Sequence, residues 1–281
     1  MLKKTDKILY IVTTAFFILF ILSFTKSCSS TDKRETIKTA LVNPKYENSI
    51  TSFQLCNSKN CIFLTKQGNF WTVSENDNEN TVPAAPQMVE KLIKDLITIR
   101  NMYKLSDKIS DKNDFGLSDE SAFILKYNFD DGFHTIVFGN QDFLQTNRYL
   151  MTDKNTQIYE VDSSFEKYLT TSLQNWSEPY IISQQILGKI TAEDVQNMDA
   201  GKLLELRHGG LSPLQNSDLQ GRLSPLSKLT LELGNKNQIT LEFYELTDET
   251  YSVVTKYYKS TSTYPIYSSN MKISNWTYGQ M

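Results

Sequence analysis

Four alternating segments and a closing Asn-Trp occur twice in this 281-residue chain, and no other feature narrows its fold so far. The first run reads FILKY, HTIVF, RYLM and QIYEV between residues 123 and 161, then QNWS at 174–177. The second reads LTLEL, QITLEF, YSVV and PIYSS between 229 and 269, then SNWT at 274–277. Apolar and polar residues alternate with the two-residue period of a half-buried strand, and Gly, Asn and Asp clusters mark the turns between them. A shorter echo pairs CIFLTKQG (61–68) with KLLELRHG (202–209), both read as a strand running into a glycine turn. Such repetition predicts two related β-rich modules, residues 46–177 and 178–281. One helix stands out. In PAAPQMVEKLIKDLITIRNM, residues Val89, Leu92, Ile93, Leu96 and Ile97 recur at three- and four-residue steps, so one helix face is apolar and covers the sheet. The expected fold class is therefore α+β: mainly antiparallel sheets with a few covering helices.

The N-terminus has a different character. Residues 8–24, ILYIVTTAFFILFILSF, carry no charge and approach the ~20 residues of a membrane-spanning helix. SFTKSC offers no small-x-small cleavage site, and Lys26 stands where a lipoprotein signal before Cys28 needs a small residue, so a retained span is favoured. The sequence thus predicts a transmembrane anchor over residues 1–25 in contact with the lipid bilayer, and a polar stalk over 26–45. Six basic against two acidic groups in residues 1–34 leave the rest of the chain at −7 against an overall −3. Such a body lacks the basic face that phosphate backbones require, which excludes nucleic acid as a partner. Lysines flank the span on both sides, and the short N-terminal tail favours a body outside the cytoplasm. Cys56 and Cys61 bracket the NSKN turn and face each other across a predicted hairpin, at a separation a disulfide spans. Two buried thiols are the alternative reading.

Chemical motifs are few. HGG (208–210) lacks a G-x-S-x-G nucleophile elbow, DFG (114–116) lacks the remaining kinase loops, and no phosphate-binding or metal-ligand spacing occurs. No catalytic residue, metal or cofactor is expected. Gly68 and Gly209 are read as equivalent turn glycines, so His208 replaces Gln67 in a structural turn; a binding loop for an anion or small ligand formed by Arg207, His208 and Arg222 is the competing reading. Trp71, Trp176 and Trp276 are expected to be core wedges, with a sugar-stacking platform as the alternative, and the proline-punctuated LSPLQNSDLQGRLSPL (211–226) an exposed contact loop.

CIFLTKQGNFWTV, QMVEKLIKDLITI, FGLSDES, FILKY with TIVFGN, RYLM with QIYEV, and LLELRHG follow one another in an order that resembles the bacterial family called domain of unknown function 4340, over roughly residues 48–281. The resemblance implies a membrane-anchored, β-rich protein without established catalytic residues, of a kind often encoded beside gliding-type ABC transporter components. On that basis the chain is expected to be a non-enzymatic, single-pass, extracytoplasmic accessory or assembly protein that partners an ABC transporter or another membrane complex. The alternative is an extracytoplasmic sensor of anions or small ligands at Arg207 and His208.

Overall fold

The computed structural model describes residues 13, 14, 16, 17 and 35–281, apart from 77, 78, 119, 130, 131, 154, 189, 191, 195–199, 220–222, 247 and 248. Thr13, Thr14, Phe16 and Phe17 are helical. The rest of the expected anchor lies outside the described residues, among which no helix is long and apolar enough to cross a membrane.

Among the described residues ten strands form the first sheet. They are β1 (Thr36–Thr39), β2 (Ile50–Cys56), β3 (Cys61–Gln67), β4 (Phe70–Glu75), β5 (Val82–Pro83), β6 (Arg100–Ser106), β7 (Phe123–Phe129), β8 (Gly132–Gln141), β9 (Asn147–Thr152) and β10 (Asn155–Asp162). Their order is β1-β6-β10-β9-β8-β7-β2-β3-β4-β5, every neighbour antiparallel. The alternation does what the pleat requires: Phe53, Leu55, Ile62, Leu64, Leu125, Tyr127, Ile136 and Phe138 all turn into the core. Helix α1 (Pro86–Ile97) begins on proline, whose missing N–H costs nothing at the first turn, and buries Val89, Leu92 and Leu96. Ile93 and Ile97 pack at its margin. The helix ends at Thr98, where the backbone becomes extended, and Arg100 starts β6.

The sheet begins earlier than the sequence suggested. Residues 36–39, read as part of a polar stalk, pair with β6, and the Leu41 and Val42 side chains that follow are buried. TIKT is an edge strand with an exposed-to-intermediate alternation, too short and too polar to register as a strand.

The second sheet is β11 (Ser227–Glu232), β12 (Gln238–Glu245), β13 (Thr250–Tyr258) and β14 (Tyr267–Ser274), paired in sequence order. β7 to β10 and β11 to β14 are both four-stranded meanders. Each leads into a short helix bearing the Asn-Trp pair, α2 (Leu173–Trp176) after the first and α5 (Asn275–Tyr278) after the second. The first meander is embedded in the ten-stranded sheet, whereas the second stands as its own sheet. The shorter echo fails. CIFLTKQ is β3, but the matching KLLELR contributes to helix α3 (Ala200–Glu205), which the short helix α4 (Asn216–Leu219) follows. Leu203 and Leu204 are both buried in α3, on the inner side of the helical turn.

One continuous core joins the sheets, running from Leu41 to Ile273. Polar ties reinforce it. Thr81 Oγ1 lies 3.0 Å from Tyr267 Oη, the Phe70 and Tyr267 rings meet edge to face at 5.2 Å, and the buried Tyr257 hydroxyl accepts the Ser183 N–H at 2.8 Å.

Candidate functional site

Two glycine motifs build one end of the first sheet. Phe115-Gly116 closes the turn after a 3-10 segment (Ile109–Asn113), and Phe138-Gly139-Asn140 lies in β8. The Asn140 N–H donates to the Phe115 carbonyl at 2.8 Å. A β-carbon on Gly139 would stand 2.2 Å from that oxygen, and one on Gly116 would stand 2.4 Å from Asn140 Cγ. Arg148 of β9 then locks the site, its guanidinium donating to the Gly139 carbonyl and forking onto both carboxylate oxygens of Glu166.

On this base sits the β8–β9 turn. Asp142 pins it, with Oδ1 accepting the N–H groups of Thr146 (2.8 Å) and Asn147 (3.0 Å) and Oδ2 accepting the Thr146 hydroxyl at 3.0 Å. The Asn147 N–H leads the hydrogen bonds that hold the Asp142 carboxyl below the usual carboxylate range. The turn presents Phe143, 98% exposed, and Leu144, 73% exposed. Beneath them is a hollow of about 540 Å³, walled by Leu105, Phe115 and Tyr149, with the Asp142 and Glu160 carboxylates on its lining. Proteins seldom hold two large neighbouring apolar side chains in water on a pinned loop unless something covers them.

The Arg207–His208 turn is a structural strap. His208 N–H bonds to the Pro179 carbonyl and Ile181 N–H to the Leu206 carbonyl, while Gly209, Gly210, Leu211 and Ser212 pair with the edge of β14 over Asn270–Lys272. The Gly210 N–H donates to His208 Nδ1 at 3.0 Å, so Nε2 carries the proton and donates to the Glu178 carbonyl at 2.8 Å. Burial pushes this imidazole below its ordinary value and keeps it neutral. Glycine freedom falls on Gly210 (φ +120°) rather than on Gly209. The exposed Arg207 guanidinium lies 5.7 Å over the Tyr180 ring. Arg222 lies outside the described residues. Arg207 and His208 thus have separate contacts, one with the Tyr180 ring and the other with the Glu178 carbonyl.

His134 is partly covered: its ring stacks on Phe129 at 4.6 Å and Nδ1 lies 3.2 Å from Asp153 Oδ2. Cys56 and Cys61 stand directly opposite in the β2–β3 hairpin and are joined, with a Cα–Cα distance of 4.2 Å. The turn between them is closed by Asn57 Oδ1, which accepts from the N–H groups of Lys59 and Asn60. Trp71 and Trp176 are buried wedges, but Trp276 is 71% exposed, against the expectation for it. Among the described residues no group of His, Cys, Asp or Glu is arranged to hold a metal. The exposed tip went unread because Phe143 and Leu144 have no period to betray them; DFLQT looks like the end of one strand.

These features define an antiparallel, β-rich α+β protein whose glycines shape turns and close approaches. The profile described as "Domain of unknown function (DUF4340)" matches residues 71–212, half of the chain, and the chain belongs to that family. The match opens at Trp71 in β4, takes in the glycine motifs and the tip, and closes at Ser212 in the strap. Neither a curated protein nor a solved structure is significantly similar to the chain.

Proposed function

We propose that this protein is a non-catalytic accessory subunit of a membrane complex of the ABC-transporter type. Residues 8–24 tether it to the bilayer, its body lies outside the cytoplasm, and the Phe143–Leu144 tip docks on a partner subunit. The exposure of that tip on a pinned turn is the observation that carries the reading. Direction supports a protein rather than the tethering bilayer as occupant. β1 runs from Thr36, opposite Tyr103, to Thr39, opposite Arg100, and the tip projects beyond Asn147 and Asp162 at the Arg100 end. Glu35 thus enters the sheet from the side away from the tip. The hollow walled by Leu105, Phe115 and Tyr149 suits a partner that offers an apolar side chain. The disulfide suits an oxidising compartment.

The test places a photo-crosslinking residue at Phe143 in the full-length protein within native membranes. A crosslink to a transporter subunit, lost in a Leu144→Ser background with an unchanged thermal midpoint, is expected. Crosslinks to lipid alone, or none, would overturn the docking role.

A further inference from the structure

We infer that the groove between α3 and α5 is a binding site for an acidic sugar, a pyranose bearing a carboxylate, and this stands apart from the docking tip. The groove encloses about 460 Å³. Leu206 and Trp276 give it an apolar surface, and Lys202, Glu205, Arg207 and Gln280 stand around it.

Trp276 is held outward by its neighbours. Ser274 caps the helix by accepting the Thr277 N–H at 3.1 Å, Thr277 is buried, and Tyr278 stacks on Tyr251 at 4.1 Å. With those two side chains turned inward, a residue one step earlier on a helical turn must face elsewhere. The counterpart in the first meander shows the alternative. Trp176 is fully buried and its indole N–H donates to the Thr170 carbonyl at 3.0 Å. The same Asn-Trp turn thus makes a core wedge in one sheet and an open aromatic platform in the other.

Arg207 is positioned for an anion. Its backbone bridges to Tyr180, its guanidinium lies over the Tyr180 ring, and no carboxylate among the described residues pairs with it. A guanidinium fork fits one carboxylate. The indole face matches the C–H face of a pyranose ring, whose rim hydroxyls reach hydrogen-bonding groups such as Glu205 and Gln280. A phosphate accepts the same fork, so a nucleotide is the discriminating comparator.

Isothermal titration of the detergent-solubilised full chain with trigalacturonate tests this, with its methyl ester and uridine monophosphate as comparators. Saturable binding of the acid is expected. Esterification, or Arg207→Gln, should weaken it by about ten- to a hundredfold, the worth of a charge-assisted pair, and Trp276→Ala should abolish it. Both side chains are exposed, so both variants should keep the parental thermal midpoint. No saturable heat from the acid up to about 10 mM, equal binding of the ester, or tighter binding of the nucleotide would each overturn the assignment.

Discussion

Gly139 carries no side chain because the Phe115 carbonyl occupies the place one would take. Gly139→Ala must part the turn from β8, and overpacking of this kind costs about 1–3 kcal/mol; chemical denaturation of the variant should show that loss. Arg148→Ala leaves the Gly139 carbonyl and Glu166 without their shared partner, and about 1.5–3 kcal/mol is expected for bonds to a charged group. His208 gives a pH signature. Its folded value lies below the ordinary ~6.5, so at lower pH the unfolded chain takes up a proton that the folded chain resists. The stability it supports is complete above about 6.5 and falls as pH drops from there through the folded value. Thermal midpoints measured between pH 7 and pH 5 should decline, and His208→Gln should flatten that part of the slope while lowering the whole curve. None of these three roles was visible in the sequence. FGN, RYLM and RHGG are legible as local patterns, but the partner that gives each its meaning lies far along the chain or across the sheet.

At the scale of elements, the long meanders and α1 could be read from the chain because period and burial coincide in them. The misread elements are those where the two separate. β1 is a polar edge, β6 (RNMYKLS) follows directly on the helical run, and α3 offers LLEL, a run too short for period to separate a strand from a helix. The LSPL loop changed most. Expected to be an exposed contact loop, it is structural in its first residues: buried Ser212 donates to Ser252 Oγ at 2.8 Å, Ser252 donates to Asn270 Oδ1 at 2.5 Å, and Asn270 Nδ2 donates to the Leu214 carbonyl at 2.7 Å. Asn80 Nδ2, in the connection between β4 and β5, reaches the Ser212 and Leu214 carbonyls. Asn270→Ala should therefore cost about 1–3 kcal/mol by stranding buried partners, as read by urea unfolding. Deleting residues 210–226 should disrupt the fold itself.

For the whole molecule, the negatively charged body and the uncharged N-terminal run are properties of composition and needed no structure. What composition hides is that a single core passes through both sheets, because the contacts uniting them, Phe70 and Thr81 with Tyr267, join residues from opposite halves of the sequence. The Cys56–Cys61 bridge closes a short loop, a separation of five residues. Loop-closure entropy for a ring of that size is worth about 2 kcal/mol. Reduction, or paired substitution by serine, should lower the unfolding free energy by about that amount and leave the far-ultraviolet spectrum unchanged. A body outside the cytoplasm should also react with a membrane-impermeant maleimide in intact cells when a cysteine is introduced at the exposed Tyr264. Labelling only after lysis would reverse that orientation.

The strap of residues 206–212 bears on how the chain tolerates trimming. Its inner half pairs with backbone before residue 182 and its outer half with β14, so the stretch that matches the family ends on a row of amides whose mates are supplied by the carboxyl-terminal sheet. A proteolytic remnant ending at Ser212 would bare that row together with the apolar flank beneath it. Such a remnant should clump or be degraded, and a molecule shortened from its C-terminus should vanish from the cell rather than persist as a working half.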